Sequence, residues 1–252
     1  MKLSLFRPLF ALGLVALALS ARADEIQVAV AANFSAAAQK IATQFEHDTG
    51  NTVKLSFGAT GKFYAQIEAG APFDVLLAAD QATPGKLVAE GKGIPATLHT
   101  YAVGKLVLWS ADPALVDSQG AVLKSGQWKH LSVADAKLAP YGQAAKQALA
   151  QLKLTDAVQS RIVTAESIGQ ALQFVQSGNA ELGFVALGQV LPPDGSKPPG
   201  SMWLVPDNLY APIRQDAVVV AATKVWKAAT AFVDYLASDQ ARVVIKAYGY
   251  SW

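Results

Sequence analysis

Residues 26–61 read IQVAVAANFSAAAQKIATQFEHDTGNTVKLSFGATG, and this stretch decides the predicted fold class. Its first apolar run, Ile26 to Ala31, is bounded by turn residues and predicts a buried strand. A helix is predicted from about Ser35 to Asp48, because apolar residues recur there at helical spacing and Gly50 is a natural stop. A second strand is predicted at Val53 to Phe57. The strand–helix alternation repeats along the chain, which predicts an α/β fold with a mainly parallel sheet flanked by helices.

Two longer apolar segments divide the chain. Thr100 to Ser110 and Ile213 to Ala221 are both predicted to be long strands, and Gly104 lies within the first. We expect these segments to cross between two lobes as paired hinge strands. The first lobe then comprises residues 24–104 plus 214–252, and the second comprises residues 105–213.

Four short turns stand where a predicted strand is followed by a helix. They are residues 31–35 (AANFS), 58–61 (GATG), 139–142 (APYG) and 166–169 (ESIG). Sheets of this kind bind ligands at the carboxyl ends of their strands, which is where the turns lie. A helix start offers unpaired backbone N–H groups and the positive end of the helix dipole, so it can hold an anion without Lys or Arg. Two such turns in each lobe predict a small oxyanion site between the lobes.

The amino terminus has the pattern of a secretory signal peptide. Lys2 and Arg7 precede an apolar stretch from Leu9 to Leu19, and residues 21–23 (ARA) form a small-x-small cleavage site. The stretch is too short for a permanent membrane helix, and no second apolar run of about 20 residues follows it. We therefore expect residues 1–23 to be cleaved, and the mature chain to begin at Asp24 and to be exported as a soluble protein.

Composition excludes several classes of function. Removal of residues 1–23 takes away three basic and no acidic residues, so the formal net charge of +2 becomes −1. This balance argues against nucleic acid or an anionic membrane surface as a partner, because both require clustered Lys and Arg. The chain has no Cys, which rules out disulfides, thiolate metal sites and Cys nucleophiles. Its histidines, His47, His99 and His130, include no close pair at metal-ligand spacing.

Several motifs together resemble the periplasmic molybdate-binding proteins of bacterial ABC importers. The matching stretches are AANFSAAAQKIATQFEHDTG (31–50), FGATGKFYAQIEAGAPFDVLLAADQ (57–81), YAVGKLVLWSADPALVDSQG (101–120), LAPYGQAAKQAL (138–149), ESIGQALQFVQSGNAELGFVAL (166–187) and AYGY (247–250). The resemblance covers essentially the whole predicted mature chain. It implies a two-lobed, clam-shell binding protein of type II that holds molybdate or tungstate in its cleft through neutral hydrogen-bond donors.

The resemblance also implies which residues hold the anion. Asn33 is a donor through its backbone N–H and its side-chain amide, and Thr60 is a donor through its backbone and its hydroxyl. Tyr141 and Ile168 match positions that donate backbone N–H groups from the second lobe. Ala32 can contribute only its backbone.

Two positions depart from the family pattern. One branch of the family has a hydroxyl residue where this chain has Ala32, and another has a Tyr at the position of Ala186, whose hydroxyl reaches the anion. We expect Asn33 to supply the hydrogen bond that the missing tyrosine hydroxyl would donate to the anion. The departures bear on affinity more than on the class of ligand.

The chemistry of the turns favours a fully ionised tetrahedral dianion. A pocket of donors suits an anion without a proton, whereas phosphate near neutral pH keeps a proton and requires an acceptor. Sulfate is also proton-free, so the residues alone leave sulfate and molybdate open, and only the resemblance favours molybdate or tungstate. It implies a monomeric receptor, not an enzyme, that uses no cofactor. Molybdenum is then bound only as the oxyanion, without direct protein ligands, and is passed to an inner-membrane permease.

Three other interpretations remain as alternatives. The first is a receptor of the same fold for sulfate, thiosulfate or a small organic anion. An arginine in the cleft would favour the organic anion, and Arg214 is the only arginine near a predicted hinge. The second is an exported α/β hydrolase, but no nucleophile with a base stands out. The third is an adhesion or scaffold module, which would not require four matched turns.

Charged residues near the turns have competing explanations. The stretch GATGK (58–62) suggests a phosphate loop, but Ser56 and Phe63 occupy positions where that motif requires Gly and a hydroxyl residue. We expect Glu166 to face solvent or to pair near its helix start, since a carboxylate in the pocket would repel a dianion. Asp74 and Asp80 are expected to support backbone groups rather than catalysis or a metal.

Overall fold

The computed structural model describes residues 23–252. The predicted export signal, residues 1–23, lies outside the described residues except for Ala23. No helix within residues 23–252 is both long enough and apolar enough to cross a membrane.

The described chain contains ten strands and ten α-helices that largely alternate. The strands are β1 (Glu25–Ala31), β2 (Thr52–Gly58), β3 (Val75–Leu77), β4 (His99–Gly104), β5 (Leu106–Ser110), β6 (Leu131–Ala134), β7 (Ile162–Ala165), β8 (Leu182–Ala186), β9 (Ser201–Leu204) and β10 (Ile213–Val219). The helices are α1 (Ser35–Thr49), α2 (Thr60–Glu68), α3 (Ala82–Ala89), α4 (Val122–Ser125), α5 (Pro140–Gln151), α6 (Thr155–Gln159), α7 (Ile168–Gln176), α8 (Leu187–Val190), α9 (Trp226–Tyr235) and α10 (Asp239–Ala247). Short 3-10 helices span Ala32–Phe34, Pro95–Thr97 and Asp207–Leu209.

The strands form two five-stranded sheets with the same plan. The first has the order β2-β1-β3-β10-β4 and the second has the order β7-β6-β8-β5-β9. In each sheet three neighbouring strands are parallel, the fourth pairs antiparallel with the third, and the fifth pairs antiparallel with the fourth. We call the parts built on these sheets the first and second lobes; the division at residues 104/105 and 213/214 stays a prediction.

The parallel registers bring the four predicted turns to matching positions. Ala31 at the end of β1 lies opposite Gly58 at the end of β2. In the second sheet, Ala134 at the end of β6 lies opposite Ala165 at the end of β7. Since parallel strands point the same way, the helix starts that follow them meet at one edge of each sheet.

The two sheets are not connected by the predicted pair of continuous hinge strands. The predicted strand at residues 100–110 is broken at Lys105, with β4 in the first sheet and β5 in the second. The chain returns through residues 205–212, where Val205 N–H donates to the Leu106 carbonyl at 3.0 Å. β10 then lies wholly in the first sheet, and its register with β4 shifts between Gln215 and Asp216, the mark of a β-bulge.

Each sheet is covered by apolar helix faces. In the first lobe Phe34, Phe45 and Phe232 are fully buried against the sheet. The core of the second lobe extends across to Ala31 and Ala32 of the first. The lobes are therefore in contact at the edge where the helix starts meet.

Candidate functional site

The four turns surround one small cavity between the lobes. Its volume is about 10 Å³, roughly the space that one water-sized sphere occupies. It is lined by Ala31, Ala32, Asn33, Gly58, Ala59, Thr60, Ala79, Ala139, Pro140, Tyr141 and Ile168. All five predicted site residues, Asn33, Thr60, Tyr141, Ile168 and Ala32, are among them, and none of the lining residues carries a charge.

Three helix starts lie at this cavity. Thr60 is the first residue of α2 and Ile168 is the first residue of α7. Tyr141 is the second residue of α5, after Pro140, which has no N–H to give. N–H groups at these positions have no acceptor within their own helix, so they are available to an anion.

The hydroxyl of Thr60 is oriented by the backbone. Thr60 is 1% exposed, and its Oγ1 accepts a hydrogen bond from the Ala79 N–H at 3.0 Å. Because the oxygen already serves as an acceptor there, the hydroxyl hydrogen is left to donate elsewhere. Thr60 can therefore offer the cavity two donors, the N–H and the hydroxyl.

Asn33 lies in the 3-10 helix that joins β1 to α1. Its side chain is 2% exposed, and Nδ2 donates to Gln215 Oε1 at 2.8 Å and to the Tyr250 hydroxyl at 3.2 Å. The side-chain N–H groups are thus directed to other side chains, which differs from the expectation that they replace a missing tyrosine hydroxyl. The Asn33 Oδ1 atom has no hydrogen-bond partner among residues 23–252.

Ala32 and Ala186, the two positions that depart from the family pattern, are both closely packed. A Cβ on Gly169, in the second lobe, would lie 3.1 Å from the Ala32 Cβ, so the start of α7 approaches the first lobe closely here. Ala186 is fully buried, and its N–H donates to Gln189 Oε1 at 3.0 Å. Gln189 Nε2 in turn donates to the Ile168 carbonyl at 3.2 Å and so holds the start of α7 in place.

Direct contacts hold the lobes together around the cavity. The Gly61 N–H donates to the Leu138 carbonyl at 2.9 Å. Lys62 pairs with Glu166 across the cleft at 2.5 Å, and both side chains are well exposed. Glu166 pairs near its helix start, as expected, and is not among the residues that line the cavity.

The other charged candidates have structural explanations. Asp74 accepts from the Gln27 N–H at 2.7 Å and from the Thr223 hydroxyl at 2.6 Å. Asp80 accepts from the Thr83 N–H at 2.7 Å, and burial raises its pKa above the ordinary value. Within the described part of the chain no cluster of His, Asp and Glu could hold a metal ion.

Arg214 lies outside the small cavity. It is exposed and lines a neighbouring cleft of about 370 Å³, together with Lys137 and Asp80. The Arg214 guanidinium therefore does not take part in the site formed by the four turns.

Comparison with known proteins decides the family. The model of the bacterial extracellular solute-binding proteins matches residues 26–251. The chain belongs to this family. The solute-binding protein is 59% identical over 250 residues to the molybdate-binding protein ModA of Azotobacter vinelandii, and the match covers 99% of each chain. It is 48% identical to the molybdate-binding protein ModA of Rhodobacter capsulatus, over 93% of this chain and 91% of the relative.

A solved structure agrees with these relatives. The Azotobacter vinelandii periplasmic molybdate-binding protein superposes on this solute-binding protein with a TM-score of 0.88 at 44% identity, over 90% of this chain and 99% of the other. The resemblance drawn from the motifs is therefore confirmed, and with it the periplasmic-binding-protein fold. Membership of this family makes the chain a transport receptor of the ModA type rather than an enzyme.

Sequence reasoning missed three polar residues next to the site, of which Gln215 and Tyr250 are buried and Gln189 is half-buried. Gln189, Gln215 and Tyr250 do not belong to any of the four turns, and each reaches them from another part of the chain. Tyr250 lies in the AYGY motif, where its hydroxyl donates to the Asn33 carbonyl at 2.6 Å. That motif was the one sequence signal that could have indicated a polar residue at this place.

Proposed function

We propose that this protein captures molybdate, and tungstate in the same way, between its two lobes and delivers it to the permease of an ABC importer. Asn33, Thr60, Tyr141 and Ile168 supply the hydrogen bonds, and Ala32 contributes its backbone. The chain acts as a monomer without nucleic acid. Residues 1–23 direct its export to the periplasm, where the mature chain from Asp24 works.

The single observation that carries the proposal is the composition of the small cavity. Donors converge on it from helix starts of both lobes, while no carboxylate or cationic side chain lines it. Rigid donors of this kind cost little reorganisation when they receive a charge, so a neutral site can bind a dianion tightly. The cavity, about 10 Å³, is no larger than one water-sized sphere, so it leaves no room for an extended organic acid.

Closure completes the site. Each lobe brings two of the turns, so an open form presents only half of the donors to a solute. Binding therefore favours the closed form through contacts that exist only there, and the closed form offers the permease a distinct surface.

Calorimetric titration of residues 24–252 with molybdate, tungstate, sulfate and phosphate tests the proposal. We expect one-to-one binding of molybdate and tungstate, with no heat from sulfate or phosphate at matched concentrations. The absence of binding heat with all four anions would overturn the proposed ligand. Organic anions at the cleft that contains Arg214 would then be tested. Equal binding of sulfate and molybdate would show that the cavity does not discriminate by size.

A further inference from the structure

A cluster of five buried polar side chains lies behind the cavity and joins the two lobes. Asn33, Tyr101, Gln215 and Tyr250 belong to the first lobe, and Tyr141 reaches in from the second. Each is at most 4% exposed. We call this group the amide cluster, because two amides, Asn33 and Gln215, stand at its centre.

Gln215 connects the other members of the amide cluster. Its Oε1 accepts from Asn33 Nδ2 at 2.8 Å and from the Tyr101 hydroxyl at 3.2 Å, and its Nε2 donates to the Tyr141 hydroxyl at 3.3 Å. The β-bulge of β10 falls at this residue. Bulges are a common way to redirect a side chain next to a functional site.

Two polar atoms in this arrangement do not have suitable hydrogen-bond partners. Asn33 Oδ1 is buried and finds no donor among the described residues. The Tyr101 hydroxyl lies 3.0 Å from the Ala78 carbonyl and 3.2 Å from Gln215 Oε1, yet it has only one hydrogen to give.

Turning both amides by half a turn keeps their shape, gives Asn33 Oδ1 a donor and removes the competition at the Tyr101 hydroxyl, while Asn33 Nδ2 becomes the unmatched atom. Gln215 Nε2 then donates to Asn33 Oδ1 and to the Tyr101 oxygen, and the Tyr101 hydrogen goes to Ala78. Gln215 Oε1 then accepts from the Tyr141 hydroxyl. Asn33 Nδ2 takes the place of the unmatched Oδ1 and becomes free to donate to an anion. The turn gives up one contact, from Nδ2 to the Tyr250 hydroxyl at 3.2 Å, so the two arrangements are closely balanced.

We propose that Gln215 is a positioning residue that decides which atom of the Asn33 amide the anion meets, and that Tyr141 links this choice to lobe closure. The inference rests on the proposed oxyanion function. A proton-free dianion favours the arrangement with Nδ2 outward, since Oδ1 would repel it. The Tyr141 hydroxyl reaches Gln215 only when the lobes are together, so closure and the turned arrangement support each other. Burial raises the pKa of the Tyr141 hydroxyl well above its ordinary value, and the group therefore keeps the proton that it donates.

Two variants of Gln215 separate orientation from simple loss of a contact. In its ionised form Gln215→Glu can only accept, so it holds Asn33 Nδ2 and leaves Oδ1 toward the anion. Gln215→Met has a similar length and no hydrogen bonds, so the Asn33 amide turns freely. We expect molybdate affinity to fall more than tenfold in Gln215→Glu and about threefold in Gln215→Met. Thermal melting without ligand checks that both variants are folded.

A spectroscopic readout distinguishes positioning from a structural role. In ¹⁵N-labelled protein, saturating molybdate should shift the side-chain N–H pair of Asn33 in the wild type and in Gln215→Met, but not in Gln215→Glu. Tyr141→Phe should weaken molybdate binding about three- to tenfold. The matched control is Tyr210→Phe, which removes a buried hydroxyl of the second lobe that bonds the Leu106 N–H and not the amide cluster.

The possible failures are distinguishable. A wild type that binds molybdate without any shift of the Asn33 pair would overturn the inference and leave the proposed function standing. Wild-type affinity in Gln215→Glu would do the same. A wild type that binds no oxyanion would overturn the proposed function and this inference with it.

Discussion

The first lobe lines the cavity with two polar side chains, those of Asn33 and Thr60. The second lobe lines it with Tyr141 and Ile168, of which the Ile168 side chain is apolar and the Tyr141 hydroxyl bonds Gln215 in the amide cluster. The first lobe therefore offers donors that a side-chain substitution can remove. The second offers backbone N–H groups that survive most substitutions. This difference teaches that a site can look apolar in sequence and still be rich in donors. Backbone N–H groups at the starts of helices can donate whatever side chains those residues carry.

The largest expected effect concerns the close approach of Tyr141, from the second lobe, to Gly104 in the first. A Cβ on Gly104 would lie 1.9 Å from the Tyr141 hydroxyl oxygen and 2.6 Å from Gln215 Nε2. Gly104→Ala should therefore disfavour the closed form by about 3 kcal/mol and weaken molybdate binding by about 100-fold. Calorimetry measures the loss. The double variant Gly104→Ala with Tyr141→Phe should recover part of it, and a single variant with wild-type affinity would contradict the close approach.

The next effect tests the side-chain donors of the first lobe. Thr60→Ala removes a hydroxyl that is aimed by the Ala79 N–H, and we expect binding to weaken by about 1–3 kcal/mol, as for a hydrogen bond to a charged group. Thr60→Ser keeps the hydroxyl and serves as the matched control. Unchanged affinity in Thr60→Ala would remove this side chain from the site.

A smaller effect is expected where only the backbone donates. Ile168→Val shortens a side chain that is 4% exposed, so the free energy of unfolding should fall by about 0.5–1.5 kcal/mol. Molybdate affinity should stay within about threefold, since the N–H of residue 168 is retained. Thermal melting and calorimetry on one preparation separate the two quantities. A tenfold loss of affinity would show that the side chain of residue 168 matters for binding, and would contradict the contrast between side-chain donors in the first lobe and backbone donors in the second.

The smallest effect concerns the ion pair at the surface of the cleft. Lys62 and Glu166 are 43% and 67% exposed, and such pairs contribute little. Glu166→Gln should therefore leave molybdate affinity within about threefold at physiological salt. A large gain on titration would mean that the carboxylate acts on the anion, against its position outside the cavity.

The sequence allowed the four turns to be predicted because each is a local feature. A strand, a few small residues and an apolar helix pattern lie within about 25 residues of each other, so their order along the chain identifies the helix starts. The gathering of Asn33, Thr60, Tyr141 and Ile168 in one cavity follows from that order and from the parallel registers of the two sheets.

Other parts could not be predicted because they depend on contacts between distant residues. Gln215 and Tyr250 contact Asn33 from positions 182 and 217 residues away in the chain. No local pattern reports which atom of an amide such a contact will engage, so the partners of the Asn33 side chain could not be predicted from the sequence. The break at Lys105 was missed for a related reason, since the run from Thr100 to Ser110 is apolar on both sides of it.

The uncharged lining of the cavity has an electrical consequence. No cationic group is present to neutralise a captured dianion, and no carboxylate is present to take up a proton. Each capture therefore adds two full negative charges to the molecule, so a mature chain of formal charge −1 would become −3. The loaded receptor would then migrate faster toward the anode than the empty one, and native electrophoresis could separate the two forms without a label.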